Sequence, residues 1–304
     1  MLKSIAIVTL VVRSLAVVEP AWQQGLHYTT AVRGEVSSEL AQAWDTAAMR
    51  GQPYVLMRPA SGASVFLRII EAPAGTVVPE PLLTYGWNAT ELLVMDPDAL
   101  ARSVPDAGFR VVGPPANLGA GEQAPRAMQA VGPGSELLYL TRIIPGGMPY
   151  DLGAARSPVD RVFITVVGGA SMAELRAFYQ DVLGLQLGET MQWAIGVLGR
   201  AHGLPAGTKF PLAVARLPRD FLVELDDYPD SARPRSRAAG ALPGGMAMVS
   251  FTSDSIAGIP ARWRRKPAVI WEFPYDGRKV AATIGPAGEW IEVLETAASA
   301  AAAR

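Results

Sequence analysis

The chain has 304 residues, half of them hydrophobic and 18% charged, which is apolar material for one large domain or two of ordinary size. Its 27 basic and 28 acidic residues nearly cancel and form no polybasic block, so neither nucleic acid nor an anionic membrane is an expected partner. Cysteine is absent, which excludes disulfides, thiolate metal sites and a cysteine nucleophile and makes cytoplasmic localisation the expectation.

The first element is the β-branched run Ile5 to Val12. A basic residue ahead of an apolar run imitates a secretory signal, but Arg13 interrupts this one and no small-x-small cleavage pattern follows, so it reads as a buried strand. The next segment, PAWQQGLHYTT, keeps a helical pattern only loosely, and GQPYVLMRP and ASVFLRII read as strands. After a Pro-rich linker, 71–81, the run GWNATELLVMDPDAL (Gly86 to Leu100) predicts a strand, an Asp cap and a helix. VGPGSELLYL (Val131 to Leu140) predicts a further strand, and a second linker covers 145–158.

Beyond it, DRVFITVVGG predicts a strand and AELRAFYQDVLGL (Ala173 to Leu185) a helix, with Leu175, Phe178, Tyr179, Val182 and Leu183 at helical spacing and Gly184 as the stop. FPLAVARLP and DFLVELDD predict strands, followed by a third linker, 229–241. GMAMVSFTSDSIAGI (Gly245 to Ile259) predicts a strand running into a helix that carries Arg262, Trp263, Arg264, Arg265 and Lys266 on a solvated face. IGPAGEWIEV (Ile284 to Val293) closes the pattern, and the residues after Thr296 read as a frayed end. No stretch approaches the roughly 20 apolar residues that a membrane span needs.

VGPGSELLYL matches IGPAGEWIEV without a gap, and their upstream strands match as well, so the chain divides into two related halves. Each half divides again, giving modules at 3–70, 82–143, 158–228 and 242–296, each a strand, a helix and three strands. The expected fold class is α+β, four βαβββ modules in two tandem half-barrel domains, 1–150 and 151–304.

This pattern resembles the vicinal oxygen chelate superfamily, which includes glyoxalases, bleomycin-resistance proteins and extradiol dioxygenases. The helix AELRAFYQDVLGL and the closing strand IGPAGEWIEVLE carry the resemblance. It implies a curled sheet with ligands bound in its cup, and in metal-using members a divalent ion held by a His or Gln on each first strand and a Glu on each last strand. Here the first-strand positions fall on Ile7, Ala89, Arg161 and Met248, and the last-strand positions on Arg68, Tyr139, Glu224 and Glu292. Only the two glutamates keep a metal-ligand type, and the two histidines, His27 and His202, lie off the first strands.

No cofactor is therefore expected, the alternative being a magnesium- or calcium-type oxygen site built from Glu224 and Glu292. Arg161 is expected to bridge Glu224 or Glu292, as a catalytic pair or as a structural ion pair in a vestigial site. His202 is a candidate general base or an exposed loop residue. Tyr139, Met248, Trp193, Ile7 and Ala89 are the candidate substrate contacts. The expected function is metal-independent proton transfer, of isomerase or lyase type, on a hydrophobic aromatic or polyketide-like small molecule. The alternatives are a metal-dependent ring-cleavage dioxygenase and a non-catalytic binding or sequestering protein. A homodimer is the expected assembly.

Overall fold

The structure, a computed structural model, describes residues 1–121, 123–146, 150–218 and 220–296. The tail expected to fray, 297–304, lies outside the described residues.

Module 1 comprises β1 (Leu2–Val12), α1 (Leu15–Leu26), β2 (Tyr28–Glu35), α2 (Ser38–Trp44), β3 (Pro53–Pro59) and β4 (Phe66–Glu71). The loose helical pattern after β1 is a regular twelve-residue helix, with Pro20 inside it and Trp22 and Leu26 in the core. The second helix, α2, was not foreseen. Ser37 caps it by accepting a hydrogen bond from the Leu40 amide at 3.1 Å, it buries Leu40, Ala41 and Trp44, and it stops at Asp45 in the left-handed region (φ 59°).

Module 2 comprises β5 (Gly86–Val94), α3 (Pro97–Ser103), β6 (Arg110–Asn117), β7 (Arg126–Val131) and β8 (Leu137–Arg142). Module 3 comprises β9 (Val159–Gly169), α4 (Met172–Ala177) with a further turn to Val182, β10 (Gln186–Leu187), β11 (Met191–Ala194), α5 (Gly196–Ala201), β12 (Lys209–Arg216) and β13 (Leu222–Asp227). Module 4 comprises β14 (Gly245–Ser253), β15 (Ala268–Ile270), β16 (Arg278–Ile284) and β17 (Trp290–Glu295). The helix expected around Arg262 to Lys266 does not form. Gly258, Pro260 and Pro267 punctuate that stretch, and Arg264 and Arg265 leave it to pair with Asp45 at 2.6 and 2.7 Å.

The strands form two sheets, one ordered β15-β16-β17-β14-β1-β4-β3-β2 and the other β10-β12-β13-β9-β5-β8-β7-β6, with β11 beside β12. Module 1 therefore shares a sheet with module 4, and module 2 with module 3, so each sheet takes one module from each of the halves 1–150 and 151–304. The joints are the antiparallel pairs β1 with β14 and β5 with β9. Burial explains them: β5 and β9 are buried along their whole length, as strands at the centre of a covered sheet must be.

The largest core lies between the backs of the two sheets and takes in Trp22 from α1, Leu138 and Leu140 from β8, Tyr179 beyond α4 and Ile291 and Val293 from β17. Two equivalent turn glutamates latch it. Glu136 accepts a hydrogen bond from Trp22 Nε1 at 2.8 Å, and Glu289 accepts one from the Tyr179 hydroxyl at 3.3 Å. Burial pushes both carboxyls up, to about 7 and about 8, so both retain protons well above the ordinary carboxylate range. Three further apolar clusters line the opposite faces of the sheets, one on modules 1 and 4 and two on modules 2 and 3, and these faces are the two cups.

Candidate functional site

In the cup of modules 1 and 4 the last-strand positions meet. Arg68 stands beside Thr9 in the β1 and β4 pair, and Glu292 beside Ser250 in the β14 and β17 pair. The Tyr275 hydroxyl joins them, accepting from Arg68 Nη2 at 2.6 Å and donating to Glu292 Oε1 at 2.9 Å. Trp44 Nε1, delivered by α2, donates to Glu292 Oε1 at 2.6 Å, and the Ser250 hydroxyl donates to Oε2. The Arg68 guanidinium lies 5.1 Å from the Trp44 ring and 5.4 Å from the Tyr275 ring. Burial works against its charge, but Tyr275 and Glu292 outweigh that and hold it protonated. Ile7 and Met248 complete the packing, and all of these side chains are buried. The centre of this cup is packed with its own residues, and a cavity of about 470 Å³ lined by Ile7, Phe66, Phe273 and Leu294 opens beside it.

The cup of modules 2 and 3 is different. Period-two alternation points Glu224 and Asp226 of β13, Ala89 and Glu91 of β5, and Leu137 and Tyr139 of β8 to the concave side. Asp226 is buried, and its Oδ1 has no hydrogen-bond partner; the hydroxyl of Tyr228, just past the strand, has none either. Glu224 and Tyr139 keep partial exposure although their strands lie inside the sheet, which means they face the hollow of the cup. Glu91 accepts a hydrogen bond from the Thr141 hydroxyl.

Every acid in this cup is shifted upward. Burial is the main cause for Glu91, which rises to about 7, and for Asp226, which rises to about 8. Glu224 is raised by burial and further by the neighbouring charges of Asp226 and Glu91. The two β13 carboxyls therefore titrate as a pair that retains protons at neutral pH. Tyr139 and Tyr228 are likewise held protonated by burial, with Glu224 and Asp226 adding to the shift. At the mouth, a cavity of about 370 Å³ lies between Leu82 and Leu83, α5 and the ends of β6, β7 and β8. Its floor includes Leu137, two residues before Tyr139 on the same face of β8.

The other sequence candidates fall as follows. Arg161 does not bridge Glu224 or Glu292. It lies near the start of β9, pairs with Asp220, donates to the Leu152 carbonyl at 3.2 Å and packs on the Phe221 ring. Glu292 is in the other sheet, because modules 3 and 4 share no cup. His202 caps the end of α5 near the cup mouth with both ring nitrogens engaged, one with the Ser231 hydroxyl at 2.6 Å and one with the Leu82 carbonyl at 2.9 Å. That carbonyl must accept, so Nε2 donates to it, and both ring nitrogens are engaged. Trp193 lies opposite Phe210, whose side chain belongs to the cup, and is 48% exposed.

Among the described residues no group of three or more His, Asp or Glu could hold a metal ion. Glu292 already accepts from three side chains, and His202, at the mouth of the other cup, has both ring nitrogens engaged. These residues do not fit the divalent ion that the superfamily resemblance implies.

Among solved structures, glyoxalase I from Zea mays matches with a TM-score of 0.64 at 12% identity, over 96% of this chain and 92% of that one. A proposed dioxygenase from Bacillus subtilis matches with a TM-score of 0.60 at 9% identity, over 96% and 85% of the two chains. No protein-family model and no curated protein sequence matches. The chain shares the fold of these glyoxalase and dioxygenase structures, with its βαβββ modules curled into half-barrels. Its particular features are one cup with an Arg68, Tyr275 and Glu292 network at its centre and one cup lined with acids.

Proposed function

We propose that the chain is an enzyme that moves protons on a hydrophobic, aromatic or polyketide-like small molecule in the cup of modules 2 and 3. The observation that carries this reading is the Glu224 and Asp226 pair, adjacent on one face of β13, raised together and turned toward a hollow whose mouth has mainly aliphatic walls.

The chemistry follows from the protonation state. A carboxylic acid that keeps its proton and faces the cup is a proton donor. Glu224 donates to a carbonyl or departing hydroxyl oxygen of the ligand, forming an O–H bond, and the carboxylate left behind accepts a proton from the adjacent carbon. In an isomerisation the double bond shifts, and in a lyase step the protonated hydroxyl leaves as water. Either way the pair gives one proton and regains one, so it returns to its starting state. Asp226 tunes Glu224, and Tyr139 holds the reacting oxygen by donating a hydrogen bond. No step needs a metal, in keeping with the poor donor set.

The test is Glu224→Gln, which keeps the shape and removes the exchangeable acid. Against a panel of aromatic and polyketide-like carbonyl compounds, loss of turnover with binding retained supports the proposal. Unchanged turnover rejects it, and tight binding with no turnover by either form identifies a sequestering protein. Turnover only after addition of Fe(II) would point instead to ring cleavage.

A further inference from the structure

The mouth of the acid-lined cup carries charge that the proton chemistry does not use. Arg110, on β6, and Arg200, in the last turn of α5, both line the cavity of about 370 Å³, whose other walls are mainly aliphatic: Val112, Val131, Leu137 and Val197. Arg200 Nη2 donates to the Val112 carbonyl at 2.7 Å. That bond carries the guanidinium from the helix across to Val112 of β6, the strand that bears Arg110. Among the described residues neither arginine is in an ion pair, and the cavity's own carboxylate, Glu80, is not within ion-pair distance of either.

Arg110 and Arg200 give one cavity two positive charges with no carboxylate among the described residues paired to them, and guanidinium groups suit an oxyanion because each presents several donors in one plane. The cavity also leads to the acids. Leu137 is on its floor and Tyr139 is roughly 7 Å further along β8, at about 3.3 Å per residue, close enough for the Arg200 charge to bear on the Tyr139 hydroxyl. An elongated ligand can therefore span from the arginines to Glu224.

We infer that Arg110 and Arg200 form a subsite for an anionic oxygen group, so that the ligand is an aromatic or polyketide-like acid, bound by its charged end at the mouth and reacting at its inner end. This rests on the reading of the cup of modules 2 and 3 as the ligand site.

A matched pair of fluorescent probes tests it: 8-anilinonaphthalene-1-sulfonate, and N-phenyl-1-naphthylamine, which has the same rings without the sulfonate. They are titrated into the wild type, into an Arg110→Ala, Arg200→Ala double variant, and into Ala201→Trp, which fills the cavity from the exposed side of α5. All three positions are exposed, so folding is not at risk. The inference predicts that A201W weakens both probes, and that the arginine variant weakens the sulfonate at least tenfold while changing the neutral probe less than twofold. If A201W weakens both probes and the arginine variant changes neither, the anion subsite is wrong and the cup still binds ligand. If A201W leaves both unchanged, the probes do not enter this cup, and the inference falls together with the reading it rests on.

Discussion

Trp44 Nε1 donates to Glu292 at 2.6 Å, so a side chain from the unforeseen helix of module 1 occupies the last-strand acid of module 4. The contact closes the cup in which Glu292 was expected to act and balances Glu292 against Arg68 through Tyr275. Breaking one side of such a buried pair leaves the other charge uncompensated, whereas replacing both with apolar groups does not. Glu292→Gln is expected to destabilise the protein by about 3–5 kcal/mol. An Arg68→Met, Glu292→Met double variant should recover most of that loss. Denaturant unfolding of the three proteins measures both effects, and a double variant no more stable than E292Q would show that the pair does more than fill the cup.

The latches at Glu136 and Glu289 predict how stability depends on pH. Both carboxyls have folded-state values raised by burial, to about 7 and about 8, so between the ordinary carboxylate range and those values the folded state binds more protons than the unfolded one. Stability is then greatest in mild acid and falls as pH rises through 7 to 8. For Glu136 alone the difference is about 3 kcal/mol. Glu136→Gln keeps an acceptor for Trp22 and cannot ionise. Its unfolding temperature should match the wild type near pH 5 and exceed it at pH 8; parallel curves for the two proteins would refute the assignment.

His202 ties the end of α5 to Ser231 and to the Leu82 carbonyl beside the cavity. Its expected role is to hold the mouth in shape. His202→Ala should weaken ligand binding several-fold and cost roughly 1 kcal/mol of stability, with the titration of the cup carboxyls unchanged. A direct role in proton transfer would instead abolish turnover and leave binding intact.

Asp226→Asn removes the neighbouring charge that helps raise Glu224. Glu224 should then ionise at lower pH than in the wild type, moving the alkaline limb of any acid-dependent activity down the pH scale. A pH profile of kcat/KM measures the shift, and an unmoved limb would show that the two carboxyls do not titrate together.

Period-two and helical patterning, together with the VGPGSE and IGPAGE repeat, made the modules legible in the sequence. The partnership of modules was not legible, because it depends on which first strands pair across the sheet: β1 with β14, and β5 with β9. For that reason the sequence alone does not separate Arg161 from Glu292, which lie in different sheets. Glu224 and Tyr139 were legible as last-strand positions, and they share a cup. Asp226 could have been found by stepping two residues along the same strand from Glu224, and Glu91 by the same step from Ala89. Trp44 had a weaker signal, the Ser37 cap followed by Leu40, Ala41 and Trp44 at helical spacing, and nothing local marked Tyr275 as the bridge to Arg68.

The most direct measurement is a carbon-13 NMR titration of protein labelled at its Asp and Glu carboxyl carbons. The account predicts carboxyl resonances that titrate near or above pH 7, some of which disappear in Glu224→Gln and Asp226→Asn and shift when an aromatic ligand is bound. Glu224 and Asp226 resonances that titrate in the ordinary carboxylate range, or that ignore the ligand, would contradict the assignment of the cup of modules 2 and 3 as the working site.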